Sequence, residues 1–182
     1  IIGFNSGSII RKKVLVKLAK IQPRWMTSDI LTYFGVAAAV FYAVFCWLAN
    51  YNVNCLWAAS FCLVLNWYGD SLDGTLARVR NTQRPKYGFF IDHSLDAITT
   101  CLFCVGIGLS PMMDMNIALF ILAGYLVMSI YTYLSTIVLD EFKLTYASLG
   151  PTEVRLILIA VYILYIYNPW PDVSVNIFNQ QW

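Results

Sequence analysis

Charge is scarce in this sequence. Asp, Glu, Lys and Arg make up 12% of its 182 residues, while 59% are hydrophobic. A soluble domain of this length cannot hide so much apolar surface, so that class is excluded. Neither sign of charge dominates, and a net charge of +2 is too small to argue for a nucleic-acid partner. Histidine occurs once, at His93, and no His/Cys cluster is present that would hold zinc. The five cysteines, Cys46, Cys55, Cys62, Cys101 and Cys104, lie in or beside apolar stretches, where a disulfide framework is not expected. Cys101 and Cys104 form a C-x-x-C with no second pair and no flanking polarity, and they read as packing residues. Residues 1–10 do not read as a signal peptide. No internal repeat or low-complexity segment is evident, and the length fits one domain.

Long apolar runs are what the sequence does contain. About 20 such residues cross the hydrocarbon core of a bilayer as a helix. On that rule five spans are read: residues 30–49, 55–76, 88–109, 116–139 and 154–167. The expected fold is an all-α, polytopic transmembrane bundle covering 27–182, preceded by a basic juxtamembrane segment over 1–26. Within that segment Ile9, Ile10, Val14, Leu15 and Leu18 recur at helical spacing, with Arg11, Lys12, Lys13, Lys17 and Lys20 between them. Residues 8–22 therefore predict an amphipathic helix lying in the headgroup layer, held by anionic lipid and ended by Pro23. Arg78, Arg80, Arg84, Lys86, Lys143 and Arg155 all fall on the same side of the five spans as this segment. The positive-inside rule makes that side the cytoplasm, with the C-terminal tail outside.

Two of the spans are interrupted by carboxylates: Asp70 and Asp73 in one, Asp92 and Asp96 in the next. A carboxylate at the bilayer centre costs roughly 2.5–3.5 kcal/mol, so four left uncompensated would cost on the order of 10 kcal/mol. The basic residues nearby are too few and too near the helix ends to serve all four, and bound cations are the natural compensation. Asp70 and Asp73 stand at i and i+3, with Gly74 and Ala77 continuing that face. Gly88, Asp92 and Asp96 stand at i, i+4 and i+8 on theirs. Two antiparallel helices can turn such faces toward a common point. Hard oxygen ligands of this kind suit Mg²⁺ or Mn²⁺. Two such ions fit a diphosphate and an in-line displacement. Arg78 can add a forked phosphate contact at the mouth. Gly74, Ala77 and Gly88 leave room for a ligand or for a close helix approach.

The stretch D-S-L-D-G-T-L-A-R at 70–78, a gap of nine residues and G-F-F-I-D-H-S-L-D at 88–96 resemble the signature of the CDP-alcohol phosphotransferase (CDP-alcohol phosphatidyltransferase) family. That signature reads D-x-x-D-G-x-x-A-R, a short gap, then G-x-x-x-D-x-x-x-D, and all of its positions match. Residues 27–32 resemble the family's T-P-N-x-L-T, with Ser28 and Asp29 standing where Pro and Asn are usual. The resemblance implies that Asp70, Asp73 and Asp92 are metal ligands. Asp96 would be the general base and would also touch a metal. Gly74, Ala77, Arg78, Gly88 and Asp29 would contact the substrate. It implies attack of an alcohol on the β-phosphorus of a CDP-alcohol, release of CMP, a role in phospholipid synthesis, a homodimer and a usual count of six spans. The resemblance alone supplies the cytidine. Asp92-His93 is also similar to the start of the D-H-G-x-D run of choline and ethanolamine phosphotransferases, although Ser94 replaces the Gly. His93 is read either as a second-shell donor or as an interhelical hydrogen-bonding group. The 150–155 segment, with Glu153 and Arg155, is read either as a helix start or as an acceptor contact facing the metals. The alternatives to an enzyme are a cation- or proton-coupled transporter and an inactive scaffold of the same fold. The intact signature argues against the scaffold.

Overall fold

The computed structural model describes residues 6–139 and 151–169. Among these, all regular structure is helical: α1 Ser6–Ile21, α2 Ser28–Leu48, α3 Cys55–Val79, α4 Pro85–Leu109, α5 Met115–Leu139 and α6 Pro151–Tyr167. Lys143, the tail beyond 169 and the side chains of Arg11, Lys12 and Glu153 lie outside the described residues.

Local chemistry sets the helix ends. Thr27 caps α2, its hydroxyl accepting from the Ile30 amide at 3.2 Å. Asn50 closes the other end, donating its side-chain amide to the carbonyls of Trp47 (2.8 Å) and Leu109 (2.7 Å). That pair of bonds ties the end of α2 to the end of α4. The α3–α4 connection turns at Asn81, whose φ of 55° lies in the left-handed region that Asn tolerates. Pro85 then opens α4 at a position where its missing N–H costs nothing.

α3 is the hub. It packs against α1, α2 and α6, while α2 also packs on α4 and α4 on α5. The α2–α3 crossing is tight because Gly35 faces Gly69. A Cβ at 69 would stand 2.7 Å from the Leu31 carbonyl oxygen and 3.0 Å from the Gly35 Cα. The close approach read from the sequence thus falls at Gly69, whereas a Cβ on Gly74 or Gly88 would meet almost nothing. One core cluster joins Tyr42 and Cys46 of α2, Leu56, Ala59 and Leu63 of α3, and Tyr162 of α6. There the Tyr42 and Tyr162 hydroxyls hydrogen-bond to one another. A smaller cluster joins Ala19, Leu31, Leu72 and Leu76, with Leu15 and Leu18 against it. Leu15, Leu18 and Ala19 of α1 therefore face α3, while Lys13, Lys17 and Lys20 are exposed, as are Val14 and Val16.

Three helices are long and apolar enough to cross a membrane: Ser28–Leu48, Pro85–Leu109 and Met115–Ser135. The sequence reading of five spans includes two more, and each misses for its own reason. α6 is apolar but short, over Val154–Tyr167. α3, with 25 residues, is long enough at roughly 37 Å, but Asn66, Asp70, Asp73 and Arg78 make its second half polar. That half is turned inward, with Asn66 and Asp73 buried. α5, by contrast, leaves Phe120, Val127, Ile130, Leu134 and Val138 exposed. Such a surface suits hydrocarbon and not water, and the chain is an integral membrane protein.

Candidate active site

The α-helical period brings Asn66, Asp70 and Asp73 onto one face of α3, and Asp92, Asp96 and Thr99 onto one face of α4. Both faces line one cavity of about 20 Å³, which Thr32 and Gly35 of α2 and Arg155 of α6 also line. All four carboxylates read from the sequence are therefore brought together. They do not yet converge on a point: among the described residues no three His, Cys, Asp or Glu side chains stand close enough to ligate one ion.

The four are held differently. Asp73 is the most constrained. It is buried, one oxygen accepts from the Thr32 hydroxyl at 2.7 Å, and the other accepts from the Gly74 amide at 2.5 Å. Ser28 donates to its backbone carbonyl at 3.0 Å. α2 thus fixes the rotamer of an α3 carboxylate. Asp70 accepts from Arg155 at 3.1 Å, in a pair where the Arg155 side chain is 7% exposed and that of Asp70 41%. Arg155 also lies over the Phe103 ring, 5.9 Å from its centroid. α6 starts at Pro151 as the helix-start reading expects, and its Arg155 faces the carboxylates. Among the described residues, this is the one ion pair that the four make. Asp92 is exposed and Asp96 half-buried.

A second, open pocket of about 210 Å³ adjoins the first, and Thr32 and Asp92 line both. Gly74, Ala77, Arg78, Gly88 and Asp29 all line this second pocket. A Cβ on Gly88 would have nothing within 4 Å, and one on Gly74 would meet only an Arg78 nitrogen at 3.9 Å. These glycines therefore widen the pocket and are not sites of helix contact. Arg78 reaches no carboxylate among the described residues and donates only to the Thr75 hydroxyl, at 3.3 Å. Its guanidinium keeps most of its donors for an anion.

Asp29 is held in a way the sequence did not announce. Both its oxygens accept from Arg84, at 2.8 and 2.7 Å, and the Arg84 guanidinium lies 4.4 Å from the Tyr87 ring centroid. The hydrogen bond to Asp29, with its negative charge, raises the pKa of Arg84 above its ordinary value, so the cation stays charged. The pair is too exposed to add much stability. What it does is fasten the start of α2 to the loop that walls the pocket. Arg80 fastens the same region, donating to the backbone carbonyls of Gln22 at 3.1 Å and Pro23 at 2.8 Å, and to that of Met26.

His93 lies off the carboxylate face. Its Nδ1 stands 2.7 Å from the Phe89 carbonyl, which can only accept, so Nδ1 carries the proton. The ring stacks on Phe89 and meets Tyr133 of α5 edge-on, with centroids 4.9 Å apart. The Phe89 bond stays within α4, and the contact with α5 is made by rings. Thr32 entered the sequence reading only as the last residue of the 27–32 stretch, and Asn66 and Thr99 were not singled out. Asn66 and Thr99 could have been, as polar residues in apolar runs spaced one turn from Asp70 and Asp96.

The sequence profile of the family described as CDP-alcohol phosphatidyltransferase matches residues 25–180. That is most of the chain, and this protein belongs to that family. Among curated proteins, a phosphatidylinositol phosphate synthase of Cutibacterium acnes is 30% identical over 84 residues, 46% of this chain and 38% of that protein. The chain is matched over less than half the length of this relative. No solved structure matches it.

Proposed function

We propose that this protein transfers a substituted phosphate group from a CDP-alcohol to an alcohol acceptor, releasing CMP, in phospholipid synthesis. The observation that carries the reading is the four-carboxylate cavity opening beside an anion-ready pocket lined by Gly74, Ala77 and Arg78. The donor set fits hard divalent cations: four carboxylates line one cavity with a single arginine, leaving an excess of negative charge there, with Asp73 buried and Asp96 half-buried. Asp70, Asp73 and Asp92 would hold two Mg²⁺ or Mn²⁺ ions, with Asp96 at the second. When bound, these ions neutralise the diphosphate and stabilise the departing oxygen of CMP. Gly74, Ala77, Gly88 and Asp29 shape the donor pocket, and Arg78 orients a phosphate. The acceptor oxygen forms a bond to the β-phosphorus as the bond to the α-phosphate oxygen breaks. Asp96 takes the hydroxyl proton. At least one substrate is a lipid, since the site lies within apolar helices. The distribution of basic residues supports a cytoplasmic mouth for the site, and the family resemblance supports a homodimer.

The direct test is CMP release from labelled CDP-alcohols by the purified protein. Chelation with EDTA is expected to abolish release, and Mg²⁺ or Mn²⁺ to restore it. Undiminished turnover in metal-free buffer would count against the two-metal reading, and cation flux without CMP release would favour a transporter. A screen of CDP-activated donors against alcohol acceptors then identifies the substrates.

Arg78→Lys keeps the charge but loses the fork. A charged hydrogen bond is worth roughly 1.5–3 kcal/mol, so the donor KM is expected to rise about tenfold or more. The protein should remain folded. An unchanged donor affinity, measured by calorimetry, would leave Arg78 as a topology anchor.

A further inference from the structure

α3 carries one more polar group on its carboxylate face, and neither the signature nor the mechanism above uses it. Asn66 precedes Asp70 by one helical turn and is 2% exposed. Its side-chain nitrogen donates to the Gly35 carbonyl of α2 at 2.9 Å. A carbonyl can only accept, so the amide orientation is set: Nδ2 faces α2 and Oδ1 faces away. Oδ1 is buried without a hydrogen-bond partner among the described residues, yet Asn66 lines the cavity that the four aspartates share.

An unpartnered acceptor beside carboxylates is an odd thing to bury. Leaving one unmade costs about 1–3 kcal/mol. The nearest class of donor in the cavity is Arg155, but its Nε is also without a partner, so the two do not meet. A cavity of about 20 Å³ has polar room beside that oxygen, enough for about one water in this structure. Neutral amide oxygens join carboxylates in the shells of hard divalent cations. Asn66 stands one helical turn before Asp70, at the end of the carboxylate face away from Gly74, Ala77 and Arg78, which line the open pocket.

We propose that Asn66 Oδ1 supplies a neutral oxygen to the divalent cation shell at the end of the site remote from the donor pocket. The inference rests on the metal reading given under Proposed function. Its Nδ2–Gly35 bond holds that oxygen in place, so the α2–α3 crossing and the cation site share one side chain.

The test is Mn²⁺ binding by calorimetry, with thermal unfolding in detergent with and without Mn²⁺, on the full chain. Asn66→Leu should lower Mn²⁺ affinity at least tenfold and shrink the stabilisation that Mn²⁺ confers. Asn66→Asp returns an oxygen ligand and adds charge, so its affinity should equal or exceed that of the native protein. Both variants lose the Gly35 bond. A purely structural role would therefore lower both metal-free unfolding temperatures and leave Mn²⁺ affinity untouched. A folded Asn66→Leu that binds Mn²⁺ normally overturns the inference. If that variant does not fold, an Asn66→Asp that binds more weakly than the native protein does the same. Failure of the native protein itself to bind Mn²⁺ would instead remove the metal reading on which the inference stands.

Discussion

Asp96→Asn is expected to abolish transfer, by about a thousandfold, while CDP-alcohol and at least one metal ion stay bound. The geometry separates Asp96 from two of its neighbours. Asp73 has both oxygens engaged, by Thr32 and by the Gly74 amide, and Asp70 is paired with Arg155. Among the described residues, the Asp96 side chain makes no such bond. It sits one turn beyond Asp92 and away from the donor pocket, where an acceptor hydroxyl entering from the bilayer can meet it. A general base must be deprotonated and within reach of the proton it takes, and is worth about 10²–10⁴ in rate. Asparagine keeps the shape and removes the basicity. The measurement is paired: CMP release, and calorimetry of donor and metal on the same sample. Turnover near the native rate would put the base elsewhere, with His93 next to be tested. Loss of all metal would make Asp96 chiefly a ligand.

Gly69→Ala is expected to damage the fold and the site together. The added Cβ would meet only backbone, the Leu31 carbonyl oxygen at 2.7 Å and the Gly35 Cα and nitrogen at 3.0 Å. No side chain can rotate away to relieve it, so α2 and α3 must separate. Overpacking of this kind costs about 1–3 kcal/mol. The same crossing carries the Thr32–Asp73 bond at 2.7 Å and the Asn66–Gly35 bond at 2.9 Å. A shift on the order of 1 Å at a site held this way costs about a hundredfold in rate. Thermal unfolding in detergent and CMP release should fall together. Gly74→Ala is the contrast, since its Cβ meets one flexible arginine tip. It should unfold normally and show its effect on donor binding alone. A Gly69→Ala that melts and turns over like the native chain would mean the crossing is looser than 3 Å contacts allow.

Much of the site could be read along the chain because each half of it is local. Asp70 and Asp73 share a face through helical geometry alone, as do Gly88, Asp92 and Asp96, and the signature joins the halves. The helices were legible for the same reason, as apolar runs of helical length. Span counting was less secure at α3 and α6. Hydropathy reads a segment's composition, and α3 is a long helix whose polar face is turned inward and whose composition therefore does not look like a span.

What the sequence by itself determined is each helix and the face on which its functional residues stand, because intrahelical neighbours are set by a fixed rise and turn. What only the tertiary structure decided is which faces meet. Arg155 finds Asp70 from 85 positions away, and Arg84 takes Asp29 from 55 away. Thr32 locks Asp73, Asn66 is oriented by a carbonyl on another helix, and one glycine of α3 serves packing while the next widens a pocket. No period along the chain encodes these pairings. Where α2 crosses α3, the distance is set by the missing Cβ of Gly69, which would stand 2.7 Å from the Leu31 carbonyl oxygen.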